Sequence, residues 1–390
     1  MGLEFIKPGT NINFLGYRKL AYALSTIIVL AGIVSLVAKG GPRYGVDFAG
    51  GLTLQVKFAK PVEPDAIKTP LDAAGLPDLV VQRFGQEKDN SFLIQASEHG
   101  EALDQVRQKV DQALRQGFGE GVFEVQRIEM VGPKVGADLK AGAINAFFYA
   151  VLLIAIYISG RFEQRWLAAA IMTGGLSGGM WVLKELGVST SYMILVALII
   201  TLVLCWVLRL KYALGAVVAD IHDVMITVGI FSIFNLEFDL TIVAALLTIL
   251  GYSLNDTIIV YDRIRENVRT VKGHTFERVI NDAVNQTLSR TLLTSGITFL
   301  TVACLYFFGG SVLRQFCLAM MIGVVTGTYS SVFVASPILL DLGTGLDILQ
   351  TAETKPIPVK AEPVSVKVEA TPRRTEPTVR KIKRVYRKAK

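Results

Sequence analysis

Long apolar runs alternate with short charged turns over most of this chain. One run stands near the start, Leu20–Ala38, and about a hundred mostly polar residues follow it. From Ala141 onward apolar runs dominate: Ala141–Ile158, Trp166–Leu183, Ser191–Leu208, Tyr212–Phe234, Leu240–Val260, Thr291–Phe308 and Phe316–Leu340. Each approaches the roughly twenty residues that span a hydrocarbon core, so the pattern predicts about eight membrane-spanning helices. The Gly-rich run Trp166–Leu183 fits this reading because small residues suit close helix contacts in lipid. Leu20–Ala38 resembles a secretory leader, but its apolar core is too long and no A-x-A-like site follows. It is read as a retained anchor.

The polar stretch between Lys39 and Leu139 carries other periods. Leu52–Phe58 (LTLQVKF) alternates with period two and predicts a strand. Pro64–Gly75 reads as a short helix with Pro near its start and Gly at its end. Leu79–Phe84 and Ser91–Ala96 read as strands. Glu101–Leu114 places Leu103, Val106, Val110 and Leu114 at helical spacing, and Val122–Met130 reads as a last strand. Strand, helix, strand, strand, helix, strand is the split βαβ, ferredoxin-like order.

Composition agrees with this picture. The chain is 52% hydrophobic with a mean hydropathy of +0.47, which sets it apart from soluble domains of similar length. The expectation is a polytopic α-helical membrane protein with a small α+β domain outside the cytoplasm. Its predicted parts are a lead-in (1–19), the first span (20–38), the α+β domain (39–139), a helical bundle (140–342) and a disordered basic tail (343–390). Of 40 basic and 33 acidic residues, twelve and four follow residue 350, so the net charge of +7 belongs to the tail. The final KIKRVYRKAK suits attraction to anionic membrane lipids rather than a specific nucleic acid. Cys205, Cys304 and Cys317 all fall in apolar runs and imply neither a disulfide framework nor a metal site.

Basic residues set the orientation. Arg161 and Arg165, Arg209 and Lys211, and the group Arg263, Arg265, Arg269, Lys272 and Arg278 all fall on one side, with the lead-in and the tail. The α+β domain and the Glu237/Asp239 turn fall on the other. The positive-inside rule therefore places both termini in the cytoplasm, and six spans would satisfy it as well as eight.

Candidate chemistry lies inside the spans. Asp256 interrupts an otherwise uncharged apolar run and Arg290 opens the next. A charge at that depth costs about 2.5–3.5 kcal/mol on insertion scales and marks a functional pathway by default. Arginine stays charged, so the carboxyl group is the switchable member of such a pair. The alternative is a static ion pair that only joins two helices. Asn255, Thr257, Ser289 and Thr294 stand beside the pair and can bond it or bond between helices. Asp220, His222 and Asp223 form a second polar cluster, either a proton relay near neutral pH or a structural knot. One imidazole is too few for a convincing metal site. No cofactor is expected beyond protons as the coupling ion. The chain has no nucleotide-binding G-x-x-x-x-G-K-[ST] loop and no nucleophile constellation, so no enzyme is expected.

Five segments occur in a telling order: RYGVDFAGG (Arg43–Gly51), VGPKVGADL (Val131–Leu139), GYSLND (Gly251–Asp256), YDRIREN (Tyr261–Asn267) and QTLSRTLLTSG (Gln286–Gly296). Together they resemble the SecD/SecF family of bacterial protein-export subunits, on its SecF side, within the RND superfamily. Gly45, Asp47, Phe48, Gly50 and Gly51 match that family's G-x-D-F-T-G-G signature, with Ala49 where Thr is usual. The resemblance implies proton-gradient-driven help in drawing preproteins across the inner membrane. It implies SecD and the SecYEG channel as partners, with SecA and YajC alongside, and associates Asp256 and Arg290 with proton conduction. It also implies six spans, leaving the hairpin over residues 166–208 as an addition, either a lipid-facing support or a contact for another subunit. The rival readings are half of an RND-type exporter of small molecules or lipids, and a passive structural subunit of the channel.

Overall fold

A computed structural model describes residues 11–76, 79–84, 90–97, 103–163, 166–188, 190–270 and 273–343. Nearly all of the basic tail and the first ten residues of the lead-in lie outside them. A 3-10 turn, Leu15–Tyr17, leads into α1 (Arg18–Ala38), the first apolar run. A single helical turn, α2 (Val46–Ala49), occupies the glycine-bounded motif. The small domain then follows as β1 (Gly51–Phe58), α3 (Pro64–Ala73), β2 (Val80–Phe84), β3 (Ser91–Ser97), α4 (Leu103–Phe118) and β4 (Phe123–Val131).

The four strands form one antiparallel sheet in the order β2-β3-β1-β4. β3 is inserted between β1 and β2, which is the split βαβ arrangement. The period of two in β1 sends Leu52, Leu54, Val56 and Phe58 to one face. There they are buried against Ile67 and Leu71 of α3 and Val106, Val110 and Leu114 of α4. Burial of each such side chain contributes about 1.5–3 kcal/mol. Phe58 sits at the centre, edge-on to Phe92 and Phe118 at 5.6 and 5.0 Å. The other face carries Gln82 and Gln95, whose role emerges below.

The bundle comprises α5 (Pro133–Ile158), α6 (Trp166–Glu185), α7 (Thr190–Val207), α8 (Lys211–Ile233), α9 (Leu240–Thr270), α10 (Phe276–Phe308), α11 (Ser311–Ser330) and α12 (Ser336–Asp341). π-helical turns follow α5 at Ser159–Glu163 and α11 at Ser331–Ala335. All eight expected apolar runs are helical. Six helical stretches among the described residues are long and apolar enough to cross a membrane: Leu15–Ala38, Pro133–Phe162, Lys211–Ile233, Leu240–Thr270, Phe276–Phe308 and Val312–Asp341. In the hairpin over residues 166–208 the described apolar stretches are shorter, Ala170–Leu183 and Val196–Val207. The protein is a multi-pass membrane protein.

Several helices outrun the apolar stretches that predicted them. α9 continues past Val260 to Thr270, and α10 begins at Phe276, well before Thr291. Hydropathy marks only the length immersed in hydrocarbon, whereas backbone hydrogen bonding carries the helix on into charged sequence. Thr275 caps α10, its hydroxyl accepting from the Arg278 amide at 3.4 Å. At the same end Asn281 and Asn285 clip the lead-in. Their side chains accept the Phe14 and Ile12 amides at 2.9 and 2.8 Å and donate to the Ile12 carbonyl.

α1 and α8 cross at a pair of glycines. A Cβ built on Gly32 would lie 2.6 Å from the Gly229 Cα, so only hydrogen fits on either side, as at close helix contacts in lipid. Gly32→Leu should therefore separate the two helices, at about 1–3 kcal/mol for overpacking. The check is thermal unfolding in lipid discs, where Gly142→Leu, at an open helical position of α5, controls for added bulk. Equal melting of Gly32→Leu and the native protein would refute the close contact.

Candidate functional site

Asp256 lies midway along α9 and is buried, at 2% exposure. Its Oδ2 accepts a hydrogen bond from the Ser295 hydroxyl of α10 at 3.1 Å. The expected contact pair with Arg290 is not formed. Arg290 is exposed on the bundle surface and makes no ion pair with Asp256, although it stays within electrostatic range. Helix geometry gives the reason. Five residues separate Arg290 from Ser295, which is about 7.5 Å of rise and about 140° of rotation. The two side chains leave α10 in different directions, and the serine has the inward one.

The polar neighbours scatter accordingly. Thr257 is buried at 1% exposure, Ser289 is half-buried, and Asn255 is exposed. Thr294 is also exposed, and its hydroxyl donates to the carbonyls of Arg290 and Thr291 at 3.0 Å each.

The second cluster is the more densely wired one. Asp223 is fully buried. Its Oδ1 lies 2.9 Å from His222 Nδ1, and its Oδ2 accepts from Ser253 of α9 at 2.5 Å and Ser330 of α11 at 2.8 Å. His222 Nε2 reaches the Ser25 hydroxyl of α1 at 3.0 Å, and that hydroxyl donates to Tyr329 at 3.1 Å. The His222 and Tyr329 rings are stacked, with centroids 6.0 Å apart. One imidazole and one carboxylate thus tie four helices together. Asp220, at 3% exposure, stands apart: its Oδ2 has no hydrogen-bond partner among the described residues. The two centres are linked through α9, because Ser253 precedes Asp256 by three residues and shares its face.

The glycine-bounded motif sits where the sheet domain meets the bundle. Asp47 Oδ2 accepts the Leu240 amide at 3.0 Å, while Asp239 Oδ1 accepts the Ile242 amide at 2.9 Å. Both carboxylates thus satisfy free amides in the first turn of α9, where negative charge also suits the helix dipole. Gly45 and Phe238 exchange a backbone hydrogen bond of 2.9 Å, Phe238 returns one to Arg43 at 2.7 Å, and Tyr44 bridges Phe238. Phe48 is buried in the same junction. Gly50 has a φ of +75° and Pro133 packed against it, so both its dihedral and its surroundings call for glycine. Gly51 opens β1 opposite Ser97 and Val131. Beside this junction the nearly buried Glu237 receives Gln82 at 3.3 Å, Gln95 at 2.8 Å and the Arg43 guanidinium at 3.1 Å. The polar face of the sheet is thereby latched to the turn that starts α9. No cluster of His, Cys, Asp and Glu that could hold a metal ion occurs among the described residues.

The C-terminal region shared by the protein export membrane proteins SecD and SecF matches residues 110–176 and 179–345, and the SecD/SecF GG motif matches residues 34–62. The chain belongs to the SecD/SecF family. Protein translocase subunit SecF of Rhodothermus marinus is 38% identical over 343 residues, which cover 86% of this chain and 95% of that relative. The SecF subunit of Vibrio alginolyticus is 37% identical over 342 residues, covering 87% and 92%. The crystal structure of SecDF, a translocon-associated membrane protein from Thermus thermophilus, superposes with a TM-score of 0.63 at 28% identity. That match covers 86% of this chain and 39% of the SecDF chain, so this SecD/SecF family member spans about two fifths of that protein.

Sequence reasoning missed Ser25, Ser253, Ser295, Ser330 and Tyr329. Hydroxyl groups are common in apolar spans, and only the three-residue offset of Ser253 from Asp256 gave any sign of a shared face. Replacing Asp223 by Ala would strand three partners, each at about 1–3 kcal/mol, and should lower the melting temperature in lipid discs more than Asp256→Ala, which strands one. Asp47→Ala removes a cap worth about 1 kcal/mol. It should speed hydrogen exchange in the first turn of α9 about fivefold, with α10 as the unchanged reference.

Proposed function

We propose that the chain is a SecF-type subunit of a bacterial protein translocase that couples proton movement to preprotein export. Its relatives are named protein translocase subunit SecF along nearly their whole length, and about three fifths of the solved SecDF chain lies outside the part that this one matches. The partner is thus a SecD-type half, next to the SecYEG channel, with SecA, YajC and the moving preprotein as further contacts. The membrane is the inner one, with both termini in the cytoplasm and the sheet domain outside, as the basic turns require. Proton coupling in place of enzymatic chemistry is the working principle.

The observation that carries this reading is the continuity of α9. One uninterrupted helix of 31 residues, about 46 Å long, bears Asp256 at its middle, Ser253 one turn away and the domain latch at its first turn. When Asp256 takes up a proton, its pull on Ser295 and on the fixed charge of Arg290 changes, and the packing of α9 against α10 changes with it. The helix hands that shift to the junction at Asp47 and Glu237. Asp223 and His222 of α8 offer a second proton-carrying centre, bonded to the same face of α9 through Ser253 and reaching α1 through Ser25. One charge crossing 100 mV supplies about 2.3 kcal/mol, whereas a shift from 1:99 to 99:1 needs about 5.5 kcal/mol. Several protons per cycle, or help from the pH gradient, are therefore required.

The test is preprotein export into membrane vesicles that hold the full chain with its SecD-type partner, with the proton gradient on or collapsed. Asp256→Asn should export at the collapsed-gradient rate under both conditions while keeping native stability. Arg290→Met should likewise lose the response to the gradient, although it breaks no side-chain hydrogen bond or ion pair among the described residues. Full gradient dependence in Asp256→Asn sinks the coupling role of this carboxyl group. If His222→Gln lowers melting without altering the response, the second centre is a structural knot.

A further inference from the structure

A narrow apolar slot of about 300 Å³ lies among α5, α7, α8 and α9. Ala143, Phe147 and Val151 line it from α5, Ala197 from α7, Val224 from α8 and Leu246 from α9. The α7 wall comes from the hairpin that the family resemblance leaves unexplained. Along α5 the lining runs from Lys140 to Val151, about 16 Å of helix. The hydrocarbon core is about 30 Å thick, so the slot runs through one leaflet. That leaflet is the one on the side of the sheet domain, because Tyr44 and Phe48 of the glycine-bounded motif line the slot as well.

Of the polar residues that line the slot, Thr201 spends its hydroxyl on the Ala197 carbonyl at 2.8 Å, and the two charge-bearing ones, Lys140 and Asp220, are placed unlike each other. Lys140 is half-buried at the mouth, its Nζ 3.9 Å from the centroid of the Tyr44 ring, with no carboxylate within ion-pair distance among the described residues. Asp220 is buried at the far end.

Chemistry narrows the occupant. A water molecule needs two to four polar partners, and these walls are almost wholly apolar. An extended peptide would bring amide and carbonyl groups that the walls cannot satisfy. A hydrocarbon chain meets none of these objections. The lysine at the mouth, on an aromatic ring at the height where such residues meet lipid headgroups, complements a phosphate.

We propose that this slot is a phospholipid site: one acyl chain of a lipid in the sheet-side leaflet fills it, and Lys140 holds the phosphate. The hairpin helix α7 then serves to close the wall around that chain. The lipid covers Asp220 and keeps water from reaching the buried carboxyl groups along this side of the bundle.

The test uses the full chain in vesicles of phosphatidylethanolamine containing a small fraction of phosphatidylglycerol with a diazirine near the end of one acyl chain. After illumination, adducts are mapped by peptide mass spectrometry. Slot residues, Val151, Ala197 and Val224 among them, should be labelled alongside the lipid-facing Leu153 and Ile199, which are 64% and 51% exposed. Ala197→Phe should abolish the slot adducts and leave those on Leu153 and Ile199, which also reports that the variant is folded. Val224→Phe, from another helix, gives the same reading if Ala197→Phe does not accumulate. Lys140→Gln should reduce slot labelling about fivefold, matching about 1 kcal/mol for one lysine at a lipid surface, while Lys140→Arg retains it. Absence of slot adducts in the native chain, or adducts indifferent to both filling variants, overturns the site. Labelling indifferent to Lys140→Gln overturns the phosphate contact. A photoreactive residue at Leu198 that captures polypeptide in place of lipid, in the chain purified with its partner, also overturns the proposal.

Discussion

Hydrocarbon offers no hydrogen-bond partners, so a polar group placed inside this bundle draws its company from its own helix or from a neighbouring one, and the Asp223 cluster draws on its neighbours. That constraint decides how the helices are assembled. Asp223 gathers His222, Ser253 and Ser330, and through His222 it reaches Ser25 on α1. Four helices are registered against one another by a few atoms, while the apolar surface around them is free to slide. Contact between leucines in lipid gives little preference for one depth over another, and the polar knot supplies the preference.

A second level of organisation follows from the length of the helices. α9 and α10 outrun their apolar stretches, and each carries polar contacts beyond them. α10 clips the lead-in through Asn281 and Asn285. α9 presents its first turn to the carboxylates of Asp47 and Asp239. Toward its C-terminal end Arg263 pairs with Glu266 at 3.0 Å, and the neighbouring Asp262 holds Arg161 at 2.8 Å, joining α9 to the end of α5. The charged turns that set the orientation thus also set helix contacts.

Much of this was legible in the amino-acid order. The period of two in β1 and the helical spacing of Val106, Val110 and Leu114 were enough to predict the split βαβ domain, because one-sided burial leaves a regular trace. The apolar runs located every bundle helix. They did not locate helix ends, since hydropathy ceases where the lipid ceases and the backbone ladder does not. Asp256 was visible as a charge in an apolar run, and the Asp220–Asp223 cluster for the same reason. The partner of Asp256 was not visible. Choosing between Arg290 and Ser295 depends on the rotation of α10 about its axis, and packing fixes that rotation. Glu237 showed itself only as an acidic turn, because its partners Gln82 and Gln95 lie some 140 to 155 residues earlier in the chain.

The sheet domain grips α9 at two separate points. Glu237 receives the glutamines of β2 and β3, and the motif loop meets Leu240 and Phe238 a few residues on. A single tether would transmit only traction along its own line. Two tethers at the start of one helix can act as a couple, by which a sideways tilt of the domain would twist the helix about its long axis. Torsion is the component that would swing Asp256 between the serine on one side of α10 and the arginine on the other.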